Sequence, residues 1–213
     1  MGGMNMQDKL TTMTCEDFAT ALAAKEAVPG GGGAAAYAGA LAAALCSMVG
    51  NFTVGKKTYA AVEEDVQAML VRAEAARIRL LELVNEDAKA FLPLSEAYAI
   101  PRNDPGRAGK IEDATKTACE APLQMMRQIG EVISLLEEMG QKGSKMLVSD
   151  VGCGALLARA ALEAAALNVF VNTRTLQDKD FARSLDIEVA ALTDEYVPRA
   201  QACADKVLAQ LRG

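Results

Sequence analysis

The sequence predicts an all-α fold, a bundle of about six long helices, on three observations. Apolar residues recur at spacings of three and four along most of the chain, and no segment shows the alternation of a half-buried strand. A run of 29 residues from Ala27 to Gly55 carries no charge and consists mostly of Ala and Gly. A second Ala- and Leu-rich run with few charges spans about Asp150 to Val171. A helix apolar on nearly every side has to be buried, so both runs are expected at the centre of the bundle or against a second subunit.

The elements follow in order. Thr14 can cap a short amphipathic helix reaching about Ala27, with Glu16 and Asp17 in its first turn and Phe18, Leu22 and Ala19 toward the core. Pro29 and Gly30 to Gly33 then lead into the first core helix, which ends near Asn51 to Gly55. Its small residues repeat every four positions (Ala35, Gly39, Ala43 and Ala36, Ala40, Ala44), so neighbouring helices can approach closely. Val62, Val66, Met69, Ala73, Ala76, Leu80, Leu83 and Val84 define one long helix from Tyr59 to about Tyr98, which Pro93 could kink. Pro101, Asn103, Asp104, Pro105 and Gly106 mark a turn, and a helix from about Lys110 to Met139 is expected to bend at Pro122. Gly140, Gly143 and Ser144 punctuate the approach to the second core helix. The stripe Phe181, Leu185, Val189, Leu192, Tyr196 and Val207 predicts a last helix over Asp178 to Leu211, interrupted at Pro198.

With 213 residues, 51% of them hydrophobic, the chain suffices for one large domain over residues 1–213. The net charge of −6 and the absence of a long Lys/Arg cluster argue against a nucleic-acid partner. A membrane span is not expected, because the uncharged run is Ala and Gly rather than Leu, Ile and Phe. The first residues, MGGMNMQDKL, lack the basic start and apolar core of a signal peptide, so a cytoplasmic location is expected. Five scattered cysteines without a Cys-x-x-Cys pair predict neither a disulfide framework nor a zinc site. The chain has no His, so acid/base chemistry falls to Asp, Glu, Lys, Tyr or Cys, with a buried carboxylate leading, and no metal site is expected.

The glycines offer bare amides at a positive helix terminus, where a carboxylate, phosphate or other polar ligand can approach Gly31, Gly32 and Gly33. The pattern is neither a phosphate-binding Walker loop nor a dinucleotide fingerprint, since it lacks the Lys-Ser/Thr ending and no strand precedes it. A tight turn with close packing explains the same residues without a ligand.

Three segments carry a family resemblance: PGGGGAAAYAGALAAALCSMVGNFTVGKK; Asp87-Ala-Lys-Ala-Phe91 with Ile100-Pro101-Arg102 after it; and Ser149-Asp150 leading to Ala166-Leu167-Asn168-Val169 and Asn172. In this order they resemble the C-terminal domain of formiminotransferase-cyclodeaminase, the cyclodeaminase/cyclohydrolase family, over nearly the whole chain. The resemblance implies an all-helical homodimer acting on folate one-carbon units, with a tetrahydrofolate derivative as substrate and no further cofactor. Some members convert 5-formiminotetrahydrofolate to 5,10-methenyltetrahydrofolate with loss of ammonia, and others hydrolyse the methenyl compound to 10-formyltetrahydrofolate. The family usually shows Gly-Gly-Gly-Ser where this chain has Gly33-Ala34, so any role of that hydroxyl is lost. These 213 residues hold no formiminotransferase portion, which leaves both reactions open, with the cyclohydrolase as first choice.

Both reactions need a proton shuttle at the carbon bridging N5 and N10. Asp87 is the first candidate, with Phe91 one turn on to make its surroundings apolar, although an acid beside Glu86 can equally be solvated. Asp150 is the second, as water activator or pterin contact, or simply as a helix cap. Asn168 and Asn172 share a helical face and, with Asn51, either bond across the core or read the pterin edge. Lys56, Lys57 and Arg102 could hold the glutamate tail or face solvent. Tyr37 and Tyr59 are stacking or hydrogen-bonding groups, or ordinary core residues. The reading from a different class is a non-catalytic helical dimerisation module, which would have no reason to bind tetrahydrofolate.

Overall fold

The computed structural model describes residues 10–213, all of whose regular structure is helical. The leading segment before Leu10, on which the signal-peptide expectation rests, lies outside the described residues. Seven α-helices follow in order: α1 Cys15–Ala23, α2 Gly31–Asn51, α3 Glu63–Ala99, α4 Arg107–Ala118, α5 Glu120–Lys142, α6 Val148–Thr173 and α7 Lys179–Arg212.

Local signals set most of the ends. The Thr14 hydroxyl accepts from the Asp17 amide at 3.0 Å and so caps α1, which stops at Ala23, four residues short of expectation. Leu22 and Ala19 face solvent, and only Phe18 leans inward, its ring 5.4 Å from that of Tyr37. The helix expected over 110–139 is two: Cys119 separates α4 from α5, and Pro122 falls in the first turn of α5, where a missing amide costs no helical bond. Pro93 and Pro198, by contrast, lie within continuous α3 and α7. The carboxylate of Asp178 accepts from the Phe181 amide and caps α7.

Glycine contacts give the direction of packing. Gly32 abuts Asp87 and Gly50 abuts Leu70, so α2 and α3 are antiparallel. Gly31 meets Asn168 and Gly154 lies near the Ala42 carbonyl, so α2 and α6 are antiparallel too. Gly39 rests on Ile129 and Gly50 on Met139, which makes α5 parallel to α2. The result is a row α3–α2–α6–α7 with α5 lying across one face of it. The expected smooth central helix is α2, whose Ala36, Ala42, Ala43 and Cys46 are fully buried.

Because α2 supplies little bulk, its neighbours fill the space. Met125, Met126, Ile129, Ile133, Leu136 and Met139 of α5 are all 0–1% exposed, and each such side chain contributes about 1.5–3 kcal/mol by leaving water. By length and composition alone α2 and the segment Lys145–Thr173 could cross a membrane, but more than half of the apolar window of α2 is buried inside this bundle.

Candidate functional site

The site is built at the N-terminal end of α2, where three helices converge. Gly30 caps α2 without a side chain; of the first helical residues Gly31 is exposed, while Gly32 and Gly33 are buried. Gly32 faces α3, and a Cβ there would lie 2.5 Å from Oδ2 of Asp87; only a glycine lets the carboxylate lie against the helix backbone. Gly31 faces α6, with its Cβ position 3.5 Å from both amide atoms of Asn168. Gly33 packs on Pro29 and Val84.

This placement fixes the chemistry of Asp87. Burial pushes its carboxyl up to about 6, and the amide of Gly33, hydrogen-bonded to it, opposes that rise only in part. Its carboxyl group is largely enclosed by protein but keeps an exposed edge. A carboxylate that exchanges its proton near neutrality, beside a helix N-terminus, can act as either base or acid. Asn168 has its Nδ2 committed to the Ala164 carbonyl at 2.8 Å, which leaves Oδ1 to accept from a ligand. Tyr37, one turn past Gly33, lines a small hollow with Val84, Phe18 and Cys15 beside this cluster.

The structure therefore brings together Asp87, Gly31, Gly32, Gly33 and Asn168. Asn172 lies one turn beyond Asn168 and donates to the Ala118 carbonyl at 3.1 Å, tying α6 to the α4–α5 junction. Phe91, one turn on from Asp87, is 39% exposed, and on the α2 side the carboxylate lies against Gly32. Arg102 is exposed in the turn after α3.

Asn51, Lys56 and Lys57 lie at the other end of α2, about 30 Å away by the rise of a 21-residue helix, and Asp150 stands on α6 one turn before Gly154, which packs at the Ala42 carbonyl, so it too is remote from Asp87. Asp150 occupies the first turn of α6 and is not its cap residue, which is Leu147. The Asn51 end of α2 has its own polar cluster, built around Tyr59. The Tyr59 hydroxyl accepts from the Lys145 amide at 3.0 Å; this bond, with Ser144, Lys56 and Lys145 beside it, lowers the phenol below its usual range. The Ser144 amide donates to buried Thr53 at 2.8 Å and fixes the same junction. Among the described residues no three acid or cysteine side chains converge as a metal site would require.

Comparison with known proteins now bears on this arrangement. The family model for formiminotransferase-cyclodeaminase matches residues 14–191, a span that contains every residue of the cluster. The chain belongs to the formiminotransferase-cyclodeaminase family. It is 43% identical to a methenyltetrahydrofolate cyclohydrolase of Methylorubrum extorquens, over 85% of this chain and 89% of that protein. It is 28% identical to mouse formimidoyltransferase-cyclodeaminase over 91% of its own length but only 37% of the mouse protein. The crystal structure of a formiminotetrahydrofolate cyclodeaminase from Thermotoga maritima superposes with a TM-score of 0.82, at 27% identity, covering 93% of this chain and 99% of that one.

Proposed function

We propose that the chain is a methenyltetrahydrofolate cyclohydrolase, converting 5,10-methenyltetrahydrofolate and water to 10-formyltetrahydrofolate with Asp87 as its proton shuttle. The observation that carries this reading is the enclosed carboxylate with a pKa of about 6, held against the glycines of the first turn of α2. Similarity over nearly the full length of both chains to a cyclohydrolase supports the choice of reaction.

In this scheme the Asp87 carboxylate takes a proton from water as its oxygen bonds to the cationic bridging carbon. The resulting carbinolamine then collapses: the protonated Asp87 returns its proton to N5, the bond from carbon to N5 breaks, and the hydroxyl proton is lost to solvent. One water is consumed and one proton released, and the formyl group stays on N10. The amide of exposed Gly31 stabilises the oxygen as charge develops on it, with Gly32 making room for the carboxylate and Gly33 holding it. Asn168 offers Oδ1 to the donor edge of the pterin, and Asn172 holds the α6 end in place. The tetrahydrofolate derivative is the substrate, and the scheme calls on no further cofactor.

The cyclodeaminase reaction is the second reading, favoured by the likeness to the Thermotoga maritima structure. A carboxyl of the same pKa can protonate departing ammonia. A paired assay with methenyl- and formiminotetrahydrofolate tests both. Turnover of the first only establishes the cyclohydrolase, turnover of the second moves the assignment, and binding of neither leaves a helical dimerisation module.

A further inference from the structure

Helices α5 and α7 lie side by side on α6 and separate toward their C-terminal ends. They touch where Gly130 receives the Tyr196 ring, a Cβ there falling 2.6 Å from Cε2, and where Arg199 reaches Glu137 at 2.6 Å. One turn further on, α5 presents Gly140 and α7 presents Cys203, and these small residues leave a cavity of about 220 Å³. Its floor is apolar, formed by buried Val148 of α6 and buried Val207 of α7, while exposed Gln141, Lys206 and Gln210 stand at its mouth. Because Gly50 rests on Met139, beside Gly140, the cavity lies about 27 Å along α2 from Gly32 and so apart from the Asp87 cluster.

The walls carry opposite charges that do not meet. Glu137 gives only Oε2 to Arg199, which donates to it from both Nε and Nη2, and Oε1 is left without a hydrogen bond. Among the described residues the Lys206 ammonium has neither a hydrogen bond nor an ion pair. Both charges act on one sulfur: burial pushes the Cys203 thiol up, Glu137 adds to the rise and Lys206 opposes it. An acid and a base therefore face one cavity without neutralising each other. The rim amides of Gln141 and Gln210 are likewise uncommitted.

A ligand with a single charge fits this arrangement badly. An anion drawn to Lys206 is repelled by Glu137, and an amine drawn to Glu137 is repelled by Lys206. A zwitterion satisfies both, and an aliphatic group on it covers the two valines. At about 220 Å³ the space falls short of the roughly 300–1,000 Å³ of sites for drug-sized molecules, so the occupant is small. We propose that this cavity binds a small aliphatic α-amino acid, with its ammonium on Glu137, its carboxylate on Lys206 and its side chain on Val148 and Val207.

Titration calorimetry with L-leucine tests this without any turnover, so the result is independent of the folate reading. The wild-type chain should bind one leucine with a dissociation constant of about 1 mM or below. Two analogues, 4-methylpentanoate without the ammonium and 3-methylbutylamine without the carboxylate, should bind at least about 10-fold more weakly. Lys206→Met keeps the aliphatic stem of an exposed side chain; it should lose leucine affinity by a similar factor while its circular dichroism and its turnover of methenyltetrahydrofolate stay at wild type. Bound leucine should also slow alkylation of Cys203 by N-ethylmaleimide, read by peptide mass spectrometry, and leave exposed Cys15 and Cys153 unprotected. Neither saturable heat nor protection of Cys203 at about 20 mM leucine would overturn the proposal. So would undiminished binding to Lys206→Met, or equal affinity for 4-methylpentanoate or inorganic phosphate, which would reduce the cavity to an anion site on one lysine.

Discussion

Gly32 and Asp87 lie so close that a methyl group on the glycine would fall 2.5 Å from the carboxylate Oδ2. No conformational freedom of glycine is at issue, since Gly32 is an ordinary helical residue; the position is small because the acid needs the space. Gly32→Ala should therefore rotate Asp87 away from the Gly33 amide. We expect a folded, helical protein whose kcat falls about 10-fold or more. Circular dichroism together with turnover checks this, and wild-type kcat would separate the Gly32 contact from catalysis.

Asp87→Asn keeps the shape of the side chain and removes its proton capacity. Turnover should fall by about 10² while folate binding, followed by fluorescence or calorimetry, stays near wild type. Loss of binding with unchanged kcat would make Asp87 a substrate-positioning group instead.

The raised carboxyl also predicts a pH dependence. As the group that takes a proton from water, Asp87 must be ionised, so kcat/KM should rise with pH through an apparent pKa near the 6 of the folded protein. Stability runs the other way. The folded state holds this proton more tightly than the unfolded chain, whose value is near 3.8, so the contribution of Asp87 to stability is fully present below about 4 and is lost as pH rises through about 6. Denaturant titrations should show Asp87→Asn more stable than wild type at pH 7 by about 1–3 kcal/mol, with the gain gone near pH 4.

Asn168→Ala should raise KM for methenyltetrahydrofolate several-fold with little change in kcat, because Oδ1 is the acceptor left open at the site. An unchanged KM, measured at the same pH, would reduce Asn168 to its bond with the Ala164 carbonyl.

Packing around the central helix supplies a control away from the site. A Cβ on Gly154 would lie 2.7 Å from Cδ2 of the buried Leu136, so Gly154→Val should destabilise by about 1–3 kcal/mol in chemical denaturation. Its pH profile should keep the wild-type midpoint.

Much of the architecture was legible because it depends on local pattern. The three- and four-residue spacing identified α3 and α7, Ala- and Leu-rich composition identified α6, the absence of charge from Ala27 to Gly55 required that α2 be buried, and Thr14 marked the start of α1. The break at Cys119 was not legible, since Pro122 is compatible both with a bend and with the first turn of a new helix. Asp87 beside Glu86 looks like any pair of helical acids, and its pKa comes from burial against α2, a helix more than fifty residues earlier in the chain. For the same reason spacing could not tell that Gly31, Gly32 and Asn168 meet Asp87 while Lys56, Lys57 and Asp150 lie at the far end of the bundle. Residue type and period are properties of the chain alone, but desolvation and proximity depend on which helices lie side by side and in which direction, and that was decided by the antiparallel packing of α2 with α3 and α6.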